Sequence, residues 1–166
     1  MNGPFFPDVQ KIPFEGPGTR NPLAFRHYDA DEKILGKPMR EHLRFAVCWW
    51  HTFKAGGTDP FGGATFLRSY NDAGDEMAGA EATVDAAFEF FSKLGVDFFC
   101  FHDRDIAPEA GTLAETNKRL DRIVARIKEW MGETGVRLLW GTTNAFSHRR
   151  FLAGAATNPS PHVFAY

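Results

Sequence analysis

The sequence predicts a parallel α/β fold. Three observations carry that reading. First, the order of elements is strand, helix, strand, helix, strand. Second, the strands "RFAVCWW" (44–50), "VDFFCFH" (96–102) and "VRLLW" (136–140) are continuous apolar runs rather than alternating ones, the pattern of strands covered on both faces. Third, the segments between them are amphipathic helices long enough to serve as right-handed crossovers between parallel neighbours.

Residues 1 to 37 are rich in Pro, Gly and aromatics. A stretch such as "IPFEGPGTRNPLAF" cannot sustain a helix, because proline removes donors and glycine is costly there. An irregular arm clinging to a surface is expected. "DADEKILGK" is expected to hold one short helix before Gly36, and Lys37 to Leu43 a second short turn. The arm is thus residues 1–43 and the α/β domain residues 44–166. The first strand runs into the glycine-rich "HTFKAGGTDPFGGATF". From Ala80 to Leu94, Val84, Ala87, Phe88 and Phe91 fall on one helical face, and Gly95 stops the helix. The second strand passes into the loop "DRDIAPEAG". "TLAE" (112–115) reads as a capping box. The helix it opens runs to about Met131, with Leu120, Ile123, Val124 and Ile127 on its stripe, and "GETG" ends it. In "ATNPSPHVFAY", Ser160 and Pro161 open another helix. The sequence stops at Tyr166 soon after, so the chain is expected to be the first part of something longer.

The 166 residues suffice for one domain with a core, and 43% hydrophobic residues argue for a globular fold. With 19 basic against 21 acidic residues, nothing in the charge points to nucleic acid or a membrane surface as partner. No signal-peptide pattern and no apolar run near the ~20 residues of a membrane span is present. Cys48 and Cys100, the two cysteines, lie inside apolar runs and read as small buried hydrophobes, which fits a reducing cytoplasm.

The polar and aromatic residues gather just after the strands: Trp50 and His51, then His102 and Asp105, then Thr142, Thr143 and Asn144. In parallel α/β folds that edge is where ligands bind. The run "FFCFHDRD" (98–105) ends a buried strand on ionisable groups. Three residues apart, the Asp105 carboxylate can hydrogen-bond one nitrogen of His102, fixing the tautomer and leaving the other nitrogen to exchange a proton with a sugar oxygen. A surface histidine beside a helix-capping aspartate would read the same way. Asp103 and Arg104 are expected to be an ion pair or loop charges, mostly solvated. Trp50 and Trp140 can wall off water or simply pack. Thr142, Thr143 and Asn144 can contact a polyol or cap the next segment. The six histidines are scattered, with no two-His helical pair, Cys-rich spacing or dense carboxylate cluster.

Taken together, "CWWHTF", "DPFG", "FCFHDRDIAPEAGTLAETN", "LLWGTTNAFSHRRF" and "GAATNPSPHVFAY" resemble the N-terminal part of xylose isomerase, and the arm "KIPFEGPGTRNPLAFRHYD" resembles the extension of that family's longer class. The resemblance implies that the three strands open a TIM (β/α)₈ barrel. It implies isomerisation of D-xylose to D-xylulose, and of D-glucose to D-fructose, by ring opening and hydride shift. Two divalent metals (Mg²⁺, Mn²⁺ or Co²⁺) and a homotetramer come with it. On the matching positions, His102 resembles the residue that assists ring opening and Asp105 its orienting carboxylate. Trp50 resembles part of the wall around the hydride path, and Trp140 the boundary of the pocket where a hexose has one carbon more. Thr142 and Phe146 would line the substrate side, and Phe61 in "DPFG" would reach into a partner subunit's site. The family's metal ligands and catalytic lysine lie on later strands and have no counterpart here. The isolated chain is therefore expected to be inactive. The alternative is a non-catalytic barrel fragment or assembly module that oligomerises through exposed sheet edges.

Overall fold

A computed structural model describes residues 3–57, 63, 65, 66, 68–71 and 74–166. It is a mixed α/β structure around a three-stranded parallel sheet. An irregular arm leads into a small hairpin of β1 (Lys33–Ile34) and β2 (Lys37–Pro38), then the one-turn helix α1 (Met39–His42). The helix expected before Gly36 is not formed. Leu35 (φ 49°) and Gly36 (φ 81°) both take positive φ, which closes a two-residue hairpin turn instead. Nine residues with no buried face had too little periodicity to settle between helix and turn.

The sheet is β3 (Ala46–Cys48), β4 (Phe98–His102) and β5 (Arg137–Thr142), in that spatial order and all parallel. The first strand is shorter than expected, because a π-helical turn over Trp50–Lys54 takes the chain out of the sheet. Helix α2 (Glu76–Leu94) joins β3 to β4. It starts earlier than its apolar periodicity suggested, because the Asp75 carboxylate accepts from the Met77 and Ala78 N–H groups and caps it. It ends at Gly95, whose φ of 77° is the left-handed cap foreseen in the sequence. The loop "DRDIAPEAG" contains a helical turn, α3 (Asp103–Ile106), that the sequence reading did not identify. Helix α4 (Leu113–Thr134) follows, with Thr112 Oγ accepting from the Glu115 N–H at 3.2 Å. The last element, α5 (Pro161–Ala165), opens on proline as expected.

One apolar cluster sits between sheet and helices. Trp49, Phe53, Val84, Phe88, Phe91, Phe99 and Ile123 are at most 1% exposed. Phe99 stacks on Phe91 and Phe101 and lies against Trp49, so these residues of β4 face α2. By the strand's period of two, Cys100 and His102 face the other way. Outside the core, α4 is laced to α2 by Arg119–Glu76 (3.1 Å), Arg122–Glu81 (2.6 Å) and Arg126–Asp85 (2.5 Å). The arm is tied to α2: the Phe5 and Phe6 N–H groups donate to Glu89 at 2.7 and 3.1 Å, and the Ile12 N–H to the Lys93 carbonyl at 2.8 Å. Strand β5 departs from the expectation of strands covered on both faces. All six of its residues are exposed, including Leu138, Leu139 and Trp140. It is an edge strand of the sheet.

Candidate active site

The C-terminal ends of the three strands meet at one rim. His102 is the last residue of β4, and Thr142, the last of β5, lies directly opposite it in register. Trp50 opens the π-helical turn after β3, which puts its ring on the rim while its neighbour Trp49 enters the core. A π-helical insertion of this kind frequently marks a functional position.

His102 sits among three aromatic rings. Its centroid is 4.8 Å from Trp50, 5.8 Å from Trp140 and 5.3 Å from Phe146, the last met edge-on at 86°. Trp50 and Trp140 are 5.4 Å apart. The structure thus brings His102, Trp50, Trp140 and Phe146 into one group and sets Thr142 beside it.

Asp105 Oδ2 accepts two hydrogen bonds from one residue: the His102 backbone N–H at 2.7 Å and the ring Nδ1–H at 2.9 Å. An ionised carboxylate can only accept, so Nδ1 carries the proton and Nε2 is the nitrogen left for a ligand. Helix α3 makes this geometry, because one turn brings the residue at i+3 back over the N-cap. The same aspartate therefore both caps the helix and orients the histidine. With side chains 18% and 12% exposed, the pair lies mostly out of water, where such a bond is stronger.

Asp103 and Arg104 form the ion pair, one of the two expectations, but they are not mostly solvated. Their side chains are 24% and 19% exposed, and they pair at 3.5 Å. Asp103 Oδ1 also accepts from the backbone N–H of Asn144 at 2.8 Å, linking the rim of β4 to the loop after β5. That loop is folded by the Asn144 side chain, whose Oδ1 accepts from the Phe146 and Ser147 N–H groups at 3.3 and 2.9 Å. For Asn144 the capping role is the one observed. Its consequence is functional, because it seats Phe146 against His102. This link joins residues 41 apart and carries no sequence signal. Phe61 and the "DPFG" turn lie outside the described residues.

A cleft of about 570 Å³ lies at the opposite, N-terminal end of the strands, between the arm and Ala46 and Phe98. It lacks the convergence of histidine, carboxylate and aromatic rings found at the rim. Among the described residues no group of three or more His, Cys, Asp or Glu is placed to hold a metal ion, and no helix is long and apolar enough to cross a membrane.

No protein-family model matches the chain. Similar curated proteins are named xylose isomerase. The chain is 56% identical over 162 residues to that of Pseudomonas fluorescens (strain Pf0-1), covering 98% of this chain and 37% of that protein. It is 55% identical over 166 residues to that of Rhizobium johnstonii, covering 100% and 38%. It is 54% identical over 163 residues to that of Pseudomonas syringae pv. syringae, covering 98% and 37%. The chain spans little more than a third of the length of the curated relatives it matches.

Proposed function

We infer that this chain, which belongs to the xylose isomerases along the whole stretch it covers, supplies the sugar-opening side of an aldose–ketose isomerase site. One observation carries the reading: a histidine with Nδ1 held by a carboxylate, set inside a wall of Trp50, Trp140 and Phe146 at the rim of a parallel sheet. Aromatic faces suit the apolar faces of a pyranose and exclude water from it. In the proposed step His102 Nε2 takes the anomeric hydroxyl proton and returns it to the ring oxygen. The bond from C1 to the ring oxygen breaks, the C1 carbonyl forms, and the ring oxygen leaves as a hydroxyl. Asp105 keeps the ring in the right tautomer throughout and steadies the transient imidazolium.

Trp50 and Trp140 would flank the extended sugar, Thr142 would offer a hydroxyl to it, and Phe61 would serve a neighbouring subunit's site in a homotetramer. The three strands would be the first three βα units of a TIM (β/α)₈ barrel, whose C-terminal rim is where such sites form. The two divalent metals of this chemistry do not fit the residues present, since the described residues offer no cluster to ligate them. Their ligands, and the hydride-shift half of the site, would lie in other residues. The substrates proposed are D-xylose and D-glucose, and the place of action is the cytoplasm.

The test is His102→Ala in the enzyme that contains this chain. Turnover of cyclic xylose should fall by about 10²–10⁴-fold, the usual worth of a positioned acid–base group. A pre-opened analogue should be spared. Equal losses on both would remove His102 from ring opening.

A further inference from the structure

Trp50 owes its place on the rim to the short π-helical turn Trp50–Lys54. Five residues make barely one turn of such a helix. The backbone becomes extended at Ala55 (φ −61°, ψ 128°), so carbonyls near the end of the turn have no following turn to donate to them.

Those carbonyls are met from elsewhere in the chain. Arg68 Nη1–H donates to the Ala55 carbonyl at 2.6 Å, and Nη2–H to the Thr52 carbonyl at 3.1 Å, across 13 and 16 positions of sequence. One guanidinium fork thus spans the end of the turn. A cation is favoured at this end of a helix, where the carbonyls point. Arginine suits it better than lysine, because a planar fork holds two acceptors at a fixed spacing and an ammonium is a point charge on a flexible stem.

The fork is itself held. The Thr65 and Phe66 N–H groups donate to the Gly56 carbonyl at 2.9 and 3.0 Å, which returns the chain to the end of the turn. The guanidinium carbon lies 4.9 Å from the Phe66 ring centroid. Two residues on, Tyr70 is 7% exposed and meets Phe53, the buried residue of the turn, at 6.4 Å and Phe5 at 6.0 Å. The turn is therefore pinned in the core by Phe53 and at its end by Arg68. Its first residue, Trp50, lies 4.8 Å from His102 and 5.4 Å from Trp140.

We propose that Arg68 is a positioning residue of the rim: it caps the π-helical turn from a distance and so fixes Trp50 against His102 and Trp140. Its effect on Trp50 stands on this geometry alone. Its effect on turnover rests on the reading of Trp50 as a wall of the sugar site.

The experiment labels the enzyme that contains this chain with fluorotryptophan and follows the fluorine resonances of Trp50 and Trp130, each assigned by replacement with Phe. Trp130 lies on α4, where its Nε1–H donates to Asp85 at 2.8 Å, and it reports on the fold away from the rim. Arg68→Ala should shift or broaden the Trp50 resonance and leave that of Trp130 in place. The kcat/KM for xylose should fall by about 10²-fold, the scale of a misplacement of about 1 Å. An unmoved Trp50 resonance would overturn the positioning role whatever the turnover. Both resonances moving alike would overturn it too, since Arg68 would then serve only general stability. A moved Trp50 resonance with unchanged kcat/KM would uphold the positioning and remove Trp50 from the sugar wall. Where Arg68→Ala does not fold, Arg68→Lys, which keeps the charge but not the fork, decides by the same two signals.

Discussion

At the scale of single residues, Asp105 does the most with the least. One oxygen accepts from both the backbone N–H and the ring Nδ1 of His102, so the capping contact and the proposed orienting contact use the same atom. Asp105→Asn keeps an acceptor for the backbone but can offer its amide to Nδ1 and so favour the other tautomer. If the proposed role holds, turnover of the enzyme that contains this chain should fall by about 10²–10⁴-fold with little change in Tm. A small loss in turnover would show that packing alone holds the ring. Trp140 borders the same space, at 41% exposure on an edge strand. Trp140→Phe should raise the ratio of glucose to xylose kcat/KM, by about tenfold at most, since pocket volume discriminates weakly. An unchanged ratio would take Trp140 out of the pocket boundary. The aspartate–histidine spacing was legible in the sequence, but the Asp103–Asn144 link that seats Phe146 was not. It joins side chain to backbone across two strands, and no local pattern encodes it.

At the scale of elements, the arm is held by a charge that responds to acid. Burial alone would push the Glu89 carboxyl up. Hydrogen bonds from Lys93, Phe5 and Phe6 and the Lys93 charge outweigh it and hold the group below its ordinary value. A carboxyl lowered on folding stabilises the protein above its unfolded value of about 4.3 and loses that contribution as pH falls through the folded value. Hydrogen exchange at residues 5 and 6 should therefore rise between about pH 4.3 and lower values before the α2–α4 pair opens. Glu89→Gln should flatten that dependence and cost about 1.5–3 kcal/mol, the worth of hydrogen bonds to a charged acceptor. Exchange that follows global unfolding at every pH would show that the arm is anchored by Phe5 and Phe6 packing instead. The long helices α2 and α4 were legible because their apolar stripes span many turns. The hairpin and α3 were not, because two to four residues carry no period.

For the whole molecule, the exposed edge is the dominant feature. Leu138, Leu139 and Trp140 of the edge strand β5 are each about two-fifths exposed, and partly uncovered apolar strands at an edge invite association. Light scattering of the chain, 18.6 kDa as a monomer, should give a mass that rises with concentration. A constant monomer mass would sink the assembly reading. An assay of the same sample with D-xylose and Mg²⁺ or Mn²⁺ should yield no xylulose. Product abolished by a chelator would mean that ligands outside the described clusters, or from a second copy, complete a metal site.

The sequence by itself determined the parallel α/β order and the gathering of polar residues after the strands, because apolar runs, amphipathic stripes and caps are local signals of burial and period. It also carried the family, through motifs spread along the chain. Tertiary structure alone decided which side chains meet. Trp49 and Trp50 differ by one position in sequence, yet one fills the core and the other faces His102, because the chain leaves β3 at Cys48 and turns into a π-helical turn that opens at Trp50. The register of β3 against β4 brings Cys48 beside Cys100, 52 positions apart in sequence, a proximity that only the pairing of the two strands creates.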